Sequence, residues 1–167
     1  VPDAVCPADI DETPRPGELP RVYALRMAAE KAAAAAAPGS FVLAADTVVA
    51  AGRRILPKTD DEGEARAMLA LLSGRRHRVL SAVTLLDAAG QARHRLSVSI
   101  VAFKRLAEDE LAAYLETGEW RGKAGAYAIQ GRAEALVRSL SGSHSGVMGL
   151  PLYETRALLR AGGYALG

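Results

Sequence analysis

The stretch Phe41-Val-Leu-Ala-Ala-Asp-Thr-Val-Val-Ala50 decides how this chain is read. It is apolar and rich in β-branched residues, and turn signals stand on both sides of it, Pro38-Gly39 before and Gly52 after. That is the pattern of a buried strand. One charge, Asp46, interrupts it. An isolated carboxylate in such a strand is costly to bury unless it takes backbone N–H bonds at a bulge, pairs with a cation, binds a metal or faces a polar cleft.

The segments around the strand compose one α/β domain over residues 1–167. A helix is expected over 18–37, with Pro20 in its first turn, Pro38-Gly39 as its stop and an inward stripe of Leu19, Val22, Leu25, Ala28, Ala29 and Ala32. Lys31 lies at the edge of that stripe, where the helix C-terminus alone would favour a cation. After the strand, Gly52-Arg53-Arg54 turns the chain into a short strand, Ile55-Leu56, and Lys58 follows. Asp60 or Asp61 caps a helix to Leu72 whose inner face is Ala65, Met68, Leu69 and Leu72.

Residues 77–87 and 93–103 read as a half-exposed antiparallel pair, because Leu96-Ser-Val98-Ser-Ile100 alternates. A helix over 108–117 turns Leu111, Tyr114 and Leu115 inward, and Trp120 is a packing anchor. Gly122-Lys-Ala-Gly125 reads as a flexible loop, 126–130 and 134–140 as short strands, Ser141–Gly146 as a small-residue loop, and 152–161 as a closing helix.

Composition excludes several function classes. The net charge of +2 is too small to argue for nucleic acid or an anionic membrane. No apolar run reaches transmembrane length. The single cysteine, Cys6, excludes an intrachain disulfide, reads as a small apolar filler and fits a reducing, cytoplasmic compartment. The residues given open with Val1-Pro2-Asp3 rather than Met, which leaves a targeting segment ahead of them open.

The histidines His77, His94 and His144 are scattered, which argues against zinc. There is no Gly-x-Ser-x-Gly elbow, Walker loop or dinucleotide fingerprint, and the adjacent Ser143-His144-Ser145 is not a nucleophile–base pair. What is left is a set of carboxylates, lysines and glycine-rich turns on several loops. Carboxylates hold Mg²⁺ or Mn²⁺, lysines and backbone N–H groups offset phosphate charge, and a strand-edge Asp can take a proton from water. Together they point to phosphate-ester chemistry.

Several segments, taken in order, resemble the Maf family of nucleoside triphosphate pyrophosphatases. They are Asp9-Ile-Asp-Glu12, Glu30-Lys31-Ala32, Ala45-Asp46-Thr47-Val48-Val49, Met68-Leu-x-x-Leu72-Ser-Gly-Arg75-x-His77-x-Val79, Lys123-Ala-Gly-Ala-Tyr127-Ala-Ile-Gln130-Gly131 and Ser145-Gly-Val-Met-Gly149-Leu-Pro151. The resemblance implies an inosine-triphosphate-pyrophosphatase-type α/β fold, an elongated mixed sheet with flanking helices in two lobes around a nucleotide cleft. It implies hydrolysis between the α- and β-phosphates with a divalent metal, and the fold is compatible with a homodimer.

On that resemblance Asp46 matches the general base beside the metal, Glu12 the acidic residue that helps to hold the metal, and Lys31 and Lys58 the phosphate-side lysines. Thr47 after the Asp, with Gln130, looks like the subgroup acting on dTTP and UTP. The alternatives are the 7-methyl-GTP subgroup, which more often has Gln and Glu at these two places, and a nucleotide-binding regulator of cell division with little turnover. A Gln amide donates and accepts, which suits the carbonyl and N–H edge of uracil or thymine.

Three departures from the family pattern are visible. The family's opening strand and Ser-x-Ser-Pro-Arg-Arg turn have no counterpart here, and that turn would be expected to add phosphate contacts. Pro57-Lys58-Thr59 stands for the usual Gly-Lys-Pro. His144 and Gly146 stand where Tyr and Asn are common.

Overall fold

A computed structural model describes residues 3–165; the two outermost residues at each end of the domain lie outside it. Helix α1 (Pro20–Ala34) leads into β1 (Val42–Ala51) and β2 (Arg54–Leu56), and α2 (Glu62–Leu72) follows. Strands β3 (Arg76–Leu86) and β4 (Ala92–Phe103) form the long hairpin. Then come α3 (Glu108–Glu116), two 3₁₀ turns (Ala124–Ala126 and Arg132–Leu136), β5 (Val137–Ser141), the short α4 (His144–Met148) and α5 (Leu152–Ala161).

The strands form one sheet in the order β2-β1-β3-β4-β5. Every pairing among the described residues is antiparallel, where a mixed sheet was expected. The connections explain this. Tight turns join β1 to β2 and β3 to β4, and α2 carries the chain past β1, so that β2 and β3 run parallel to each other on either side of β1 while each neighbouring pair is antiparallel.

Both faces of the sheet are covered. On one face α1 lays Tyr23, Ala24, Met27 and Ala28 on Val48, Ala50, Leu80 and Ala82. On the other, Val49, Leu56, Val79, Val101 and Phe103 meet α2, α3, Trp120 and Tyr127. The anchor role of Trp120 is borne out: it is fully buried, and its indole N–H donates to Leu115 O at 2.8 Å. The faces expected of α2 and α3 are also as read.

Several expectations are corrected. The stripe of α1 is turned round the helix: Leu19 and Val22 are exposed, while Tyr23, Ala24 and Met27 are buried with Ala28 and Ala32. Small residues let the helix lie close to the sheet, and an alanine-rich helix carries little phase information. In β4 the alternation holds, but Ser97 and Ser99 face inward while Val98 and Ile100 are each 41% exposed.

Residues 126–130 are not a strand, because Gly125 (φ +68°) and Ala126 (φ +58°) are left-handed and break the extended path. The 134–140 strand is a 3₁₀ turn first, and pairs with β4 only from Val137. The 141–146 loop already enters α4 at His144, capped by Ser143 Oγ, which accepts from Gly146 N at 2.9 Å. Leu152 of α5 is exposed, and Leu158 is its buried leucine. Cys6 is exposed rather than a filler, since the extended segment carrying it lies outside the core.

Candidate active site

Strand β2 pairs with β1 only over Val49–Ala51, and Pro57 then ends the pairing. The edge of β1 from Val42 to Val48 has no strand beside it on that side among the described residues. An open edge exposes side chains of both faces to one space. Two adjoining cavities lie there, of about 180 and 250 Å³, and Asp46, Thr47, Lys58 and Ala124 line both.

Asp46 points to the α1 side and is 6% exposed. Its Oδ1 accepts from Lys31 Nζ at 2.6 Å. Lys31 also reaches Glu12 Oε1 at 2.7 Å, and Lys58 Nζ meets Glu12 Oε2 at 3.0 Å. The four side chains thus alternate in sign, Asp46–Lys31–Glu12–Lys58. Lys31 is therefore placed by a salt bridge across the α1–β1 packing, not by the helix terminus.

Charge states follow from this chain of contacts. Burial works against the Lys31 ammonium, but its hydrogen bonds to Asp46 and Glu12 outweigh it and hold the lysine above its ordinary range. Burial likewise works against ionised Glu12, and Lys31 and Lys58 overcome it, so its carboxyl stays below the usual range.

Glu12 lies on an extended segment without regular structure, so it needs outside anchors. The Tyr23 hydroxyl donates to Glu12 O at 2.6 Å. Arg26 grips both carboxylate oxygens of Glu18 at 2.7 Å, and also donates to Thr13 O at 3.2 Å. The Arg26 guanidinium holds the Glu18 carboxyl down at about 2.

The far wall is the 122–130 segment. Gly122 N donates to Thr59 O at 3.0 Å, Gly125 N to Pro57 O at 3.3 Å, and Arg121 Nη1 to Asp60 O at 2.8 Å. The loop expected to be flexible is thus bonded to the strap that carries Lys58. Lys123 and Gln130 both line the larger cavity. Behind the wall, His77 Nε2 and the Tyr127 hydroxyl are 2.8 Å apart, and both rings meet Phe103 edge-on.

Thr47 points to the opposite face from Asp46, toward Ser81 and the 142–149 segment, yet still lines the cavities. All six residues singled out from the sequence (Glu12, Lys31, Asp46, Thr47, Lys58 and Gln130) therefore line this one space. Sequence reasoning missed Lys123, Tyr127 and Met148 as lining residues. Lys123 and Tyr127 stand in the same quoted motif as Gln130, which was the available signal.

No group of three or more His, Cys, Asp or Glu among the described residues is placed to hold a metal. Glu12 and Asp46, sharing Lys31, are two hard oxygen donors. That donor set fits a Mg²⁺ or Mn²⁺ ion shared with substrate phosphates rather than an all-protein cage. No helix among the described residues is long and apolar enough to cross a membrane.

A family model described as "Maf-like protein" matches residues 1–162. A dTTP/UTP pyrophosphatase of Novosphingobium aromaticivorans is 62% identical over 164 residues, 97% of this chain and 82% of that protein. Proteins of the same name from Rhodospirillum rubrum (60% identical, 100% of this chain, 80% of that protein) and Zymomonas mobilis (58%, 99% and 83%) are similar in the same way.

Proposed function

This chain belongs to the Maf-like family, and from that footing we propose that it is a nucleoside triphosphate pyrophosphatase acting on dTTP and UTP. The observation that carries the reading is the Lys31-bridged pair of carboxylates, Asp46 and Glu12, in a space that also holds Thr47 and Gln130. Relatives 58–62% identical to this chain over the matched residues bear that activity in their names.

In the proposed reaction a water oxygen attacks the α-phosphorus and Asp46 takes its proton. The bond from that phosphorus to the bridging oxygen breaks, and pyrophosphate leaves with the electron pair. Lys31 and Lys58 exchange carboxylate partners for phosphate oxygens, which offsets the polyanion's charge and frees Asp46. Glu12 and Asp46 would hold a divalent ion, which would supply further charge neutralisation. Thr47 and Gln130 meet the base.

The finer reading is a nucleotide cleft between two lobes of an inosine-triphosphate-pyrophosphatase-like fold, in a cytoplasmic protein that pairs as a homodimer. Sedimentation tests the last point.

The deciding experiment is pyrophosphate release from dTTP, UTP, CTP and 7-methyl-GTP with Mg²⁺ or Mn²⁺, with Asp46→Asn as control. Release from dTTP and UTP, lost in the variant, supports the proposal. Preference for 7-methyl-GTP would assign the other subgroup. Tight binding without release would leave a nucleotide-binding regulator.

A further inference from the structure

Ser81 lies on β3 directly opposite Thr47 of β1 and is 1% exposed. Its Oγ is 2.5 Å from Gly146 O and 3.0 Å from Thr47 Oγ1. A hydroxyl has one proton to give and lone pairs to receive with. Gly146 O is a carbonyl and can only accept, so the Ser81 proton is committed to it. The proton between Ser81 and Thr47 must then come from Thr47. The other protein acceptor within reach of Thr47 is also a carbonyl, Gly149 O at 3.3 Å.

Ser81 Oγ is the nearer of the two acceptors and takes the Thr47 proton, which leaves only lone pairs for the cavity. Thr47 is thereby an acceptor, not an ambivalent hydroxyl. An acceptor selects a base edge that presents N–H. The bases of UTP and dTTP present the imide N3–H, whereas cytosine has a lone pair at N3.

We propose that Ser81 is a positioning residue for base selection: by receiving the Thr47 proton it fixes Thr47 as the acceptor for the imide N–H of uracil or thymine. This rests on the dTTP/UTP reading of the site. It is separate from the loop anchoring done nearby by Ser99, whose Oγ receives Ser143 N at 2.9 Å and donates to Ser143 O at 3.3 Å. Ser99 holds the same 142–149 segment without touching Thr47, and so provides the control.

The test measures binding of non-hydrolysable α,β-imido analogues of UTP and CTP by calorimetry, with thermal melting of each variant. Wild type is expected to favour the UTP analogue at least tenfold. Ser81→Ala leaves the Thr47 proton only the longer 3.3 Å contact with Gly149 O, so that the proton can also turn into the cavity, and should shrink that preference about tenfold, mostly by weakening UTP. Ser81→Thr should restore it. Thr47→Val should lose it to the same extent, and adding Ser81→Ala to Thr47→Val should change it no further. Ser99→Ala should keep the preference, whatever it does to melting.

Equal weakening of both analogues in Ser81→Ala would overturn the proposal, as would loss of preference in Ser99→Ala, because loosening of the segment would then suffice. If Ser81→Ala proves unstable, Thr47→Val decides: a preference unchanged in that variant overturns the proposal. Wild type that binds both analogues equally overturns it too. Pyrophosphate release from UTP by wild type is scored separately, so a failure of the enzyme reading is seen as lack of release rather than as a shift in preference.

Discussion

Val49 occupies the space that a side chain on Gly125 would need: a Cβ built on Gly125 would lie 2.7 Å from Val49 Cγ1, and the backbone there has φ +68°. Val49 is β-branched, on a central strand and in the core, so it cannot yield by rotating a flexible end. The backbone of the 122–125 loop thus rests directly on the sheet.

Gly125→Ala should therefore cost stability twice, through a left-handed alanine and through overpacking, about 2–4 kcal/mol in sum. Thermal melting should fall by roughly 5–15 °C. A melting point within 2 °C of wild type, as an order-of-magnitude limit, would show that the loop can lift off Val49.

Lys31→Met would strand the buried Asp46 carboxylate without its 2.6 Å partner. A loss of about 3 kcal/mol is expected, in the range for breaking a buried pair from one side. Adding Asp46→Asn should recover part of that loss, because the uncompensated charge goes. Chemical denaturation of the two single variants and the double measures the coupling; simple additivity would mean that the contact contributes nothing to folding.

His77 gives an acid-side dependence. Burial pushes its imidazole down to about 4 from 6.5. The folded protein resists protonating it while the unfolded chain does not. Its contribution is therefore complete above about pH 6.5 and is lost as the pH falls toward 4. Between pH 7.5 and 5 the loss is about 2 kcal/mol. A His77→Phe variant should lose this slope in denaturation curves, and a slope equal to wild type would place the titration elsewhere.

Removing divalent metal should stop pyrophosphate release while leaving the fold in place, since Lys31 and Lys58 already balance Glu12 and Asp46. Chelator should leave the melting point of the free protein unchanged. Mg²⁺ should raise it clearly only together with a non-hydrolysable dTTP analogue. A large shift with Mg²⁺ alone would instead indicate a preformed cage.

How much of this was legible in the sequence depends on what each segment had to declare. Phe41–Ala50 was readable because a run of β-branched residues with one carboxylate has few physical solutions, and Asp46 takes one of them by pairing with Lys31. The faces of α2 were readable because leucine and methionine stand out against glutamate and arginine. Helix α1 offered alanine on nearly every side, so its rotation was settled by Tyr23 and Met27 fitting the sheet.

The inward serines of β4 were hidden for another reason. Ser99 is buried beneath a loop far along the chain, to which it is bonded at Ser143. No local pattern reports a partner that distant. The same holds for Ser81, whose importance depends on two glycine carbonyls, at Gly146 and Gly149, that a sequence displays only as spacing.

The backbone bonds from Gly122 to Thr59 and from Gly125 to Pro57 have a consequence for anyone who would retune this protein. They tie the strap that carries Lys58 to the segment that leads on to Gln130, as two teeth cut on one jaw. On the proposed function, a substitution that shifts Gln130 to admit a larger base would drag Lys58 with it, so selectivity and turnover could not be adjusted independently from that wall. The free adjustment lies across the gap, at Thr47, whose setting is held by β3 instead.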